Sequence, residues 1–184
     1  MVFVSAAFTL RDAACTLAGV LYVGLPFAHI VLLRFTDSAL CLPTKLGPLA
    51  GGAAYLWLAL VGTWAADTVA YFVGTRFGRH KLAPAVSPGK TWEGTLGGVA
   101  GSVIGVTLMG IFCQLPPNHA AAIGLMVGVV APVGDLVESA IKRFAGVKDS
   151  GRLLPGHGGV LDRFDSVMFA VPAVYYYLQV FILR

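Results

Sequence analysis

Five long apolar runs, separated by short polar stretches, dominate this sequence, and few folds accept that pattern. They extend from about Ala13 to Phe35, Leu49 to Val73, Leu96 to Leu115, Ala120 to Val137 and Ser166 to Leu183. Each is long enough, or nearly so, to cross a hydrocarbon core of about 30 Å, which takes about 20 helical residues. Charged residues make up 12% of the chain, against about 25% in a soluble domain. The 23 glycines fit the same reading, because small residues let membrane helices approach closely. The expected fold is therefore all-α: a polytopic integral membrane bundle of about five to six transmembrane helices, forming one membrane-embedded domain over residues 1–184. A sixth short helix is expected within the first sixty residues or in the polar loops. Pro116 and Pro117 force a turn between the third and fourth runs.

The bases set the orientation. Arg76, Arg79, Lys81 and Lys90 fall in a polar loop of about 74–95, and Lys142, Arg143, Lys148, Arg152 and Arg163 in a second of about 138–165. These nine of the thirteen Lys and Arg should face the cytoplasm. Two spans separate the loops, which puts them on one side. Arg34, Lys45 and Arg184 would then lie outside. The net charge of +4 points to membrane orientation and phosphate ligands, and no nucleic-acid partner is expected. Cys15, Cys41 and Cys113 lack metal-site spacing and read as small buried residues. The first ten residues have no basic leader and no small-residue cleavage pattern, so no cleavable signal peptide is expected.

Charge is costly in so apolar a chain, so its clustering between Asp135 and Asp165 marks a place where water, a metal or a charged ligand compensates it. Asp135 follows Pro132 and Gly134 at the cytoplasmic end of the fourth run, and Asp162 and Asp165 share a face if their segment is helical. These three carboxylates suit Mg²⁺, with a second cation left open. The alternative is that they pair with Lys142, Arg143 and Arg163. His157 lies in Pro155-Gly156-His157-Gly158-Gly159, where exposed N–H groups could cradle phosphate, or which is a plain turn. Ser87-Pro88-Gly89-Lys90-Thr91 resembles the end of a P-loop, but Pro84 stands where the first glycine belongs, so a Walker A loop is rejected. Ser87, Lys90 and Thr91 remain as anion-binding candidates at a helix start, or as an ordinary loop. Asp67 should face a wet cavity with Lys90 or Arg143 as partner, or sit as an interfacial acid. His29, His80 and His119 are assigned no chemistry, and Tyr175 to Tyr177 read as packing and interfacial anchors.

The segment Ser139–Asp165 closely resembles the signature of phosphatidate cytidylyltransferases, the CDP-diacylglycerol synthases. Ser139, Lys142-Arg143, Lys148-Asp149, Gly151, Leu154-Pro155, His157-Gly158-Gly159 and Asp162-Arg163-Phe164-Asp165 carry it. Asp67-Thr68 with Ala70-Tyr71, and Ser87 through Gly94, are similar to that family as well. Bacterial members usually carry several more spans ahead of the region matched.

The resemblance implies transfer of CMP from CTP to phosphatidic acid, giving CDP-diacylglycerol and pyrophosphate, by an integral membrane enzyme that needs Mg²⁺. It implies Asp135 and Asp162 as the metal pair, with Asp165 in support. Lys142, Arg143, Lys148 and Arg163 would neutralise phosphates, and Ser87, Lys90 and Thr91 would complete the polar cavity. Asp67 and His157 join the substrate-binding candidates. CTP, phosphatidic acid and membrane lipid are the expected partners, with a homodimer as a further expectation. The expected location is the inner or plasma membrane, with the site facing the cytoplasm. The rival readings are a CTP-dependent lipid-alcohol kinase of the phytol or dolichol type and a non-enzymatic membrane transporter.

Overall fold

The computed structural model describes residues 9–36, 41–44, 47–151 and 159–183. Five helices carry the fold: α1 (Leu10–Phe35), α2 (Gly51–Phe77), α3 (Trp92–Phe112), α4 (Pro117–Phe144) and α5 (Leu161–Phe181). They correspond to the five apolar runs, and the expected all-α bundle is what forms. By length and composition α1 to α4 can cross a membrane. The first turn of α5 is polar, with Asp162, Arg163 and Asp165 ahead of its apolar part.

No sixth helix occurs among the described residues. Two antiparallel hairpins stand in the connections instead: β1 (Cys41–Thr44) with β2 (Gly47–Ala50), and β3 (Lys81–Ala83) with β4 (Ser87–Thr91). The first pairs Pro43 with Pro48, and proline in both strands opposes a helix there. The second joins α2 to α3, so part of the expected loop of about 74–95 is ordered strand.

The helix ends follow local chemistry. Thr9 and Asp12 form a capping box at the start of α1, and the Thr91 hydroxyl accepts from Gly94 N at 3.1 Å to start α3. Pro117 opens α4 in its first turn, where its missing N–H needs no partner. α4 then runs through Pro132 to Phe144, beyond the end of its apolar run at Val137. Its last two turns are held by an ion pair between Glu138 and Lys142, one turn apart.

The helices pack in sequence order from α2 to α5, with α1 against α5 and α2. Leu58, Val106, Ile123, Val127, Val171, Val174 and Leu178 fill the core. Small residues set the spacing. A Cβ at Gly98 would come 2.8 Å from the Ala66 carbonyl oxygen, and one at Gly134 would come 2.5 Å from the Asp165 carbonyl oxygen. The first contact draws α3 onto α2, and the second draws α4 onto the start of α5. Four helix ends thereby meet at one end of the bundle.

Candidate active site

Two clusters of opposite charge occupy that end. The first joins the β3–β4 hairpin to α4. Lys90 Nζ lies 2.7 Å from Asp135 Oδ2 and donates to the Pro132 carbonyl at 3.3 Å. Ser139, one turn beyond Asp135, donates its hydroxyl to Asp135 Oδ1 at 3.2 Å. Both ends of the ion pair are partly exposed, because it borders an open cleft of about 710 Å³ between α2, the hairpin and α4. Asp67, Tyr71 and Thr75 of α2 form one wall, and Ser87, Lys90 and Thr91 another. Asp67 has no hydrogen-bond or ion-pair partner among the described residues, but lies within electrostatic reach of Lys90 and Asp135. Arg143 does not reach it; its Nε donates to the Val86 carbonyl at 3.3 Å.

The second cluster joins α4 to α5. Lys142 Nζ bridges Glu138 Oε2 at 2.7 Å and Asp162 Oδ1 at 2.8 Å. Asp162 Oδ2 also accepts from Ser150 N, Ser150 Oγ and Gly159 N, at 2.9, 2.8 and 2.7 Å. Asp162 stands ahead of the apolar part of α5. Burial works to raise its carboxyl, but the Lys142 ammonium and the donors from Gly159 and Ser150 overcome that and hold it well below the usual carboxylate range. Asp165, one turn on, accepts from Ser166 N at 2.6 Å and lies within electrostatic reach of Asp135, Asp67 and Lys142.

Together the clusters gather carboxylates and ammonium groups from β4, α4 and α5 at one end of the bundle, and the first of them lines the cleft with Asp67 of α2. The profile of the cytidylyltransferase family matches residues 1–181. The chain belongs to the cytidylyltransferase family. It is 38% identical over 182 residues to a phosphatidate cytidylyltransferase of Bacillus subtilis, covering 98% of this chain and 63% of the relative. It is 41% identical over 167 residues to one of Staphylococcus epidermidis, covering 90% and 58% respectively. It is also 41% identical over 186 residues to one of Synechocystis, covering 92% and 63%. The chain thus spans about three-fifths of the length of these curated relatives.

In this cytidylyltransferase-family chain the sequence-predicted residues fall into distinct places. Asp67, Ser87, Lys90, Thr91 and Asp135 line the cleft. Lys142 and Asp162 form the second cluster, and Asp165 lies between the two. Arg143, Lys148 and Arg163 are exposed near the same end, and His157 lies outside the described residues. Thr91 is buried, with its hydroxyl engaged as the cap of α3.

Among the described residues no group of three or more His, Cys, Asp or Glu forms a metal cage. Asp135 and Asp162 are carboxylates of the kind that Mg²⁺ takes singly or in pairs together with substrate phosphate oxygens, and each is here engaged by a lysine. Sequence reasoning gave Glu138 no role, although it is 1% exposed and holds Lys142 from beneath. Its position one turn before Lys142 was the available signal. Its burial could not be read from that spacing.

Proposed function

We propose that this chain carries the catalytic site for transfer of CMP from CTP to phosphatidic acid, releasing pyrophosphate and leaving CDP-diacylglycerol. One observation carries the reading: at the polar end of an apolar bundle, the Lys90–Asp135 pair lines a cleft between α2, the hairpin and α4, and Lys142–Asp162 ties the end of α4 to the start of α5. Family membership and the names of the relatives support it.

In the reaction a phosphate oxygen of phosphatidic acid attacks the α-phosphorus of CTP. A new P–O bond forms, the bond from the α-phosphorus to the bridging oxygen breaks, and its electron pair leaves with pyrophosphate. The nucleophile is already anionic at neutral pH, so the main obstacle is repulsion between two polyanions. Lys90 and Lys142 lower it, assisted by Arg143, Lys148 and Arg163. Each of the two lysines is now matched to a carboxylate, so incoming phosphate exchanges for that carboxylate without an ammonium first being desolvated. Asp135 and Asp162 would hold Mg²⁺, which when bound supplies further positive charge against the phosphate oxygens. Fixing both substrates in the cleft makes the attack effectively intramolecular. The site would face the cytoplasm of the inner or plasma membrane, from which CTP arrives, with the lipid entering sideways.

The test is CTP-dependent formation of CDP-lipid by membranes carrying the protein, with Asp135→Asn and Asp162→Asn beside the unaltered chain. Turnover should be abolished in both while insertion is retained. Near-normal rates in both variants would remove the assignment. Release of CDP in place of pyrophosphate would favour the lipid-alcohol kinase.

A further inference from the structure

α2 has a second surface that the polar cleft does not use. Along Gly51–Ala66 nearly every residue is buried or half-buried against other helices, and Trp57 and Trp64 alone are exposed, at 44% and 54%. Tyr71, 67% exposed, follows at the same seven-residue spacing and already lines the cleft beside Asp67. Seven residues are close to two helical turns, so the three rings lie along one face. Trp64 stands about 10 Å along the axis from Tyr71, and Trp57 about 21 Å. The indoles of Trp57 and Trp64 meet edge to face, with centroids 6.3 Å apart. An aromatic strip therefore leaves the cleft at Tyr71 and runs into the depth of the membrane.

Anchoring at the membrane surface does not explain the strip. Tryptophan is enriched where a helix passes the headgroups, because its N–H finds polar partners there. Trp64 is at the centre of α2, thirteen residues and so about 20 Å along the axis from either end of a helix long and apolar enough to cross a membrane. The strip is also continuous with a cleft whose Lys90 ammonium complements a phosphate headgroup. A lipid bound by that headgroup must lay its tails along some wall of the protein, and the wall leaving the cleft past Tyr71 is this one.

We propose that Tyr71, Trp64 and Trp57 form the contact surface for an acyl chain of the lipid whose phosphate occupies the cleft. The occupant is one phospholipid with a monoester phosphate headgroup, and the strip contributes to its affinity. Tyr71 packs against the glycerol end, Trp64 against the middle of the chain, and Trp57 against its far end. This rests on the reading of the cleft as the phosphatidic-acid site.

Tryptophan fluorescence of the full chain in phosphatidylcholine vesicles tests it, with Trp57→Phe and Trp92→Phe introduced so that Trp64 alone reports. Phosphatidic acid brominated along its acyl chains is compared with phosphatidylcholine carrying the same chains, at equal low mole fraction. Quenching should be several-fold greater with the phosphatidic acid and should fall to the phosphatidylcholine level when unbrominated phosphatidic acid competes. Equal quenching by the two lipids would overturn the proposal, since it means bulk bilayer contact only. Absence of quenching by either would also overturn it, since it means a second copy covers the strip. The CDP-lipid assay separates the two readings. Transfer with equal quenching defeats the strip alone, whereas selective quenching without transfer defeats the enzymatic reading alone.

Discussion

Replacing Lys142 by Met puts the second charge cluster to a quantitative test. The ammonium is 17% exposed and lies between Glu138, 1% exposed, and Asp162, 13% exposed. Met keeps most of the side-chain volume and removes the charge. Asp162 would keep the donors of Ser150 and Gly159, so its carboxylate stays solvated by the protein. Glu138 would keep nothing comparable, because its Oε1 has no hydrogen-bond partner and its Oε2 depends on Lys142. Removing one partner of a buried pair destabilises by about 3–5 kcal/mol, and the partial exposure of Lys142 puts the expectation near the lower end. Most of that loss should vanish when Glu138 is Gln, which needs no counter-charge. The assay is a double-mutant cycle of Lys142→Met and Glu138→Gln, read by reversible unfolding in mixed detergent micelles. A coupling of about 1–3 kcal/mol is expected. A coupling below about 0.5 kcal/mol would show that burial of Glu138 is not what makes Lys142 necessary.

Two further perturbations address the cleft and the packing that shapes it. Lys90→Met should lower kcat/KM for CTP by about 10²–10³-fold, as loss of one preorganised charge donor does, and steady-state transfer assays at several CTP concentrations will measure it. Gly98→Val should force α3 away from the Ala66 carbonyl and destabilise the bundle by about 1–3 kcal/mol, read as a lower unfolding midpoint in detergent.

Much of the architecture was legible in the order of residues. The five apolar runs predicted the five helices, because hydropathy over about twenty residues is a property of a continuous segment. Among the described residues no sixth helix occurs, and Pro43 and Pro48 stand in a hairpin, a local signal that the apolar count passes over. The polar ends were harder to read. Glu138 and Lys142 looked like loop residues because the apolar run ends at Val137, yet α4 continues through them on the strength of their own pairing. The same spacing could not show that Glu138 is buried, which depends on what packs against it.

The sequence by itself determined that this is a membrane-type helical bundle of the cytidylyltransferase family, with its acids and bases gathered between the spans. Those features survive in any arrangement of the helices, since they depend only on neighbours along the chain. Tertiary structure alone decided which charge meets which. Lys90 finds Asp135 across 45 positions, and Lys142 finds Asp162 across 20. It also decided that Trp57 and Trp64 remain uncovered while their neighbours on α2 are packed. Such pairings depend on the rotational phase of each helix and on how closely the backbones approach. Gly98 and Gly134 permit that approach, and only the folded chain specifies its outcome.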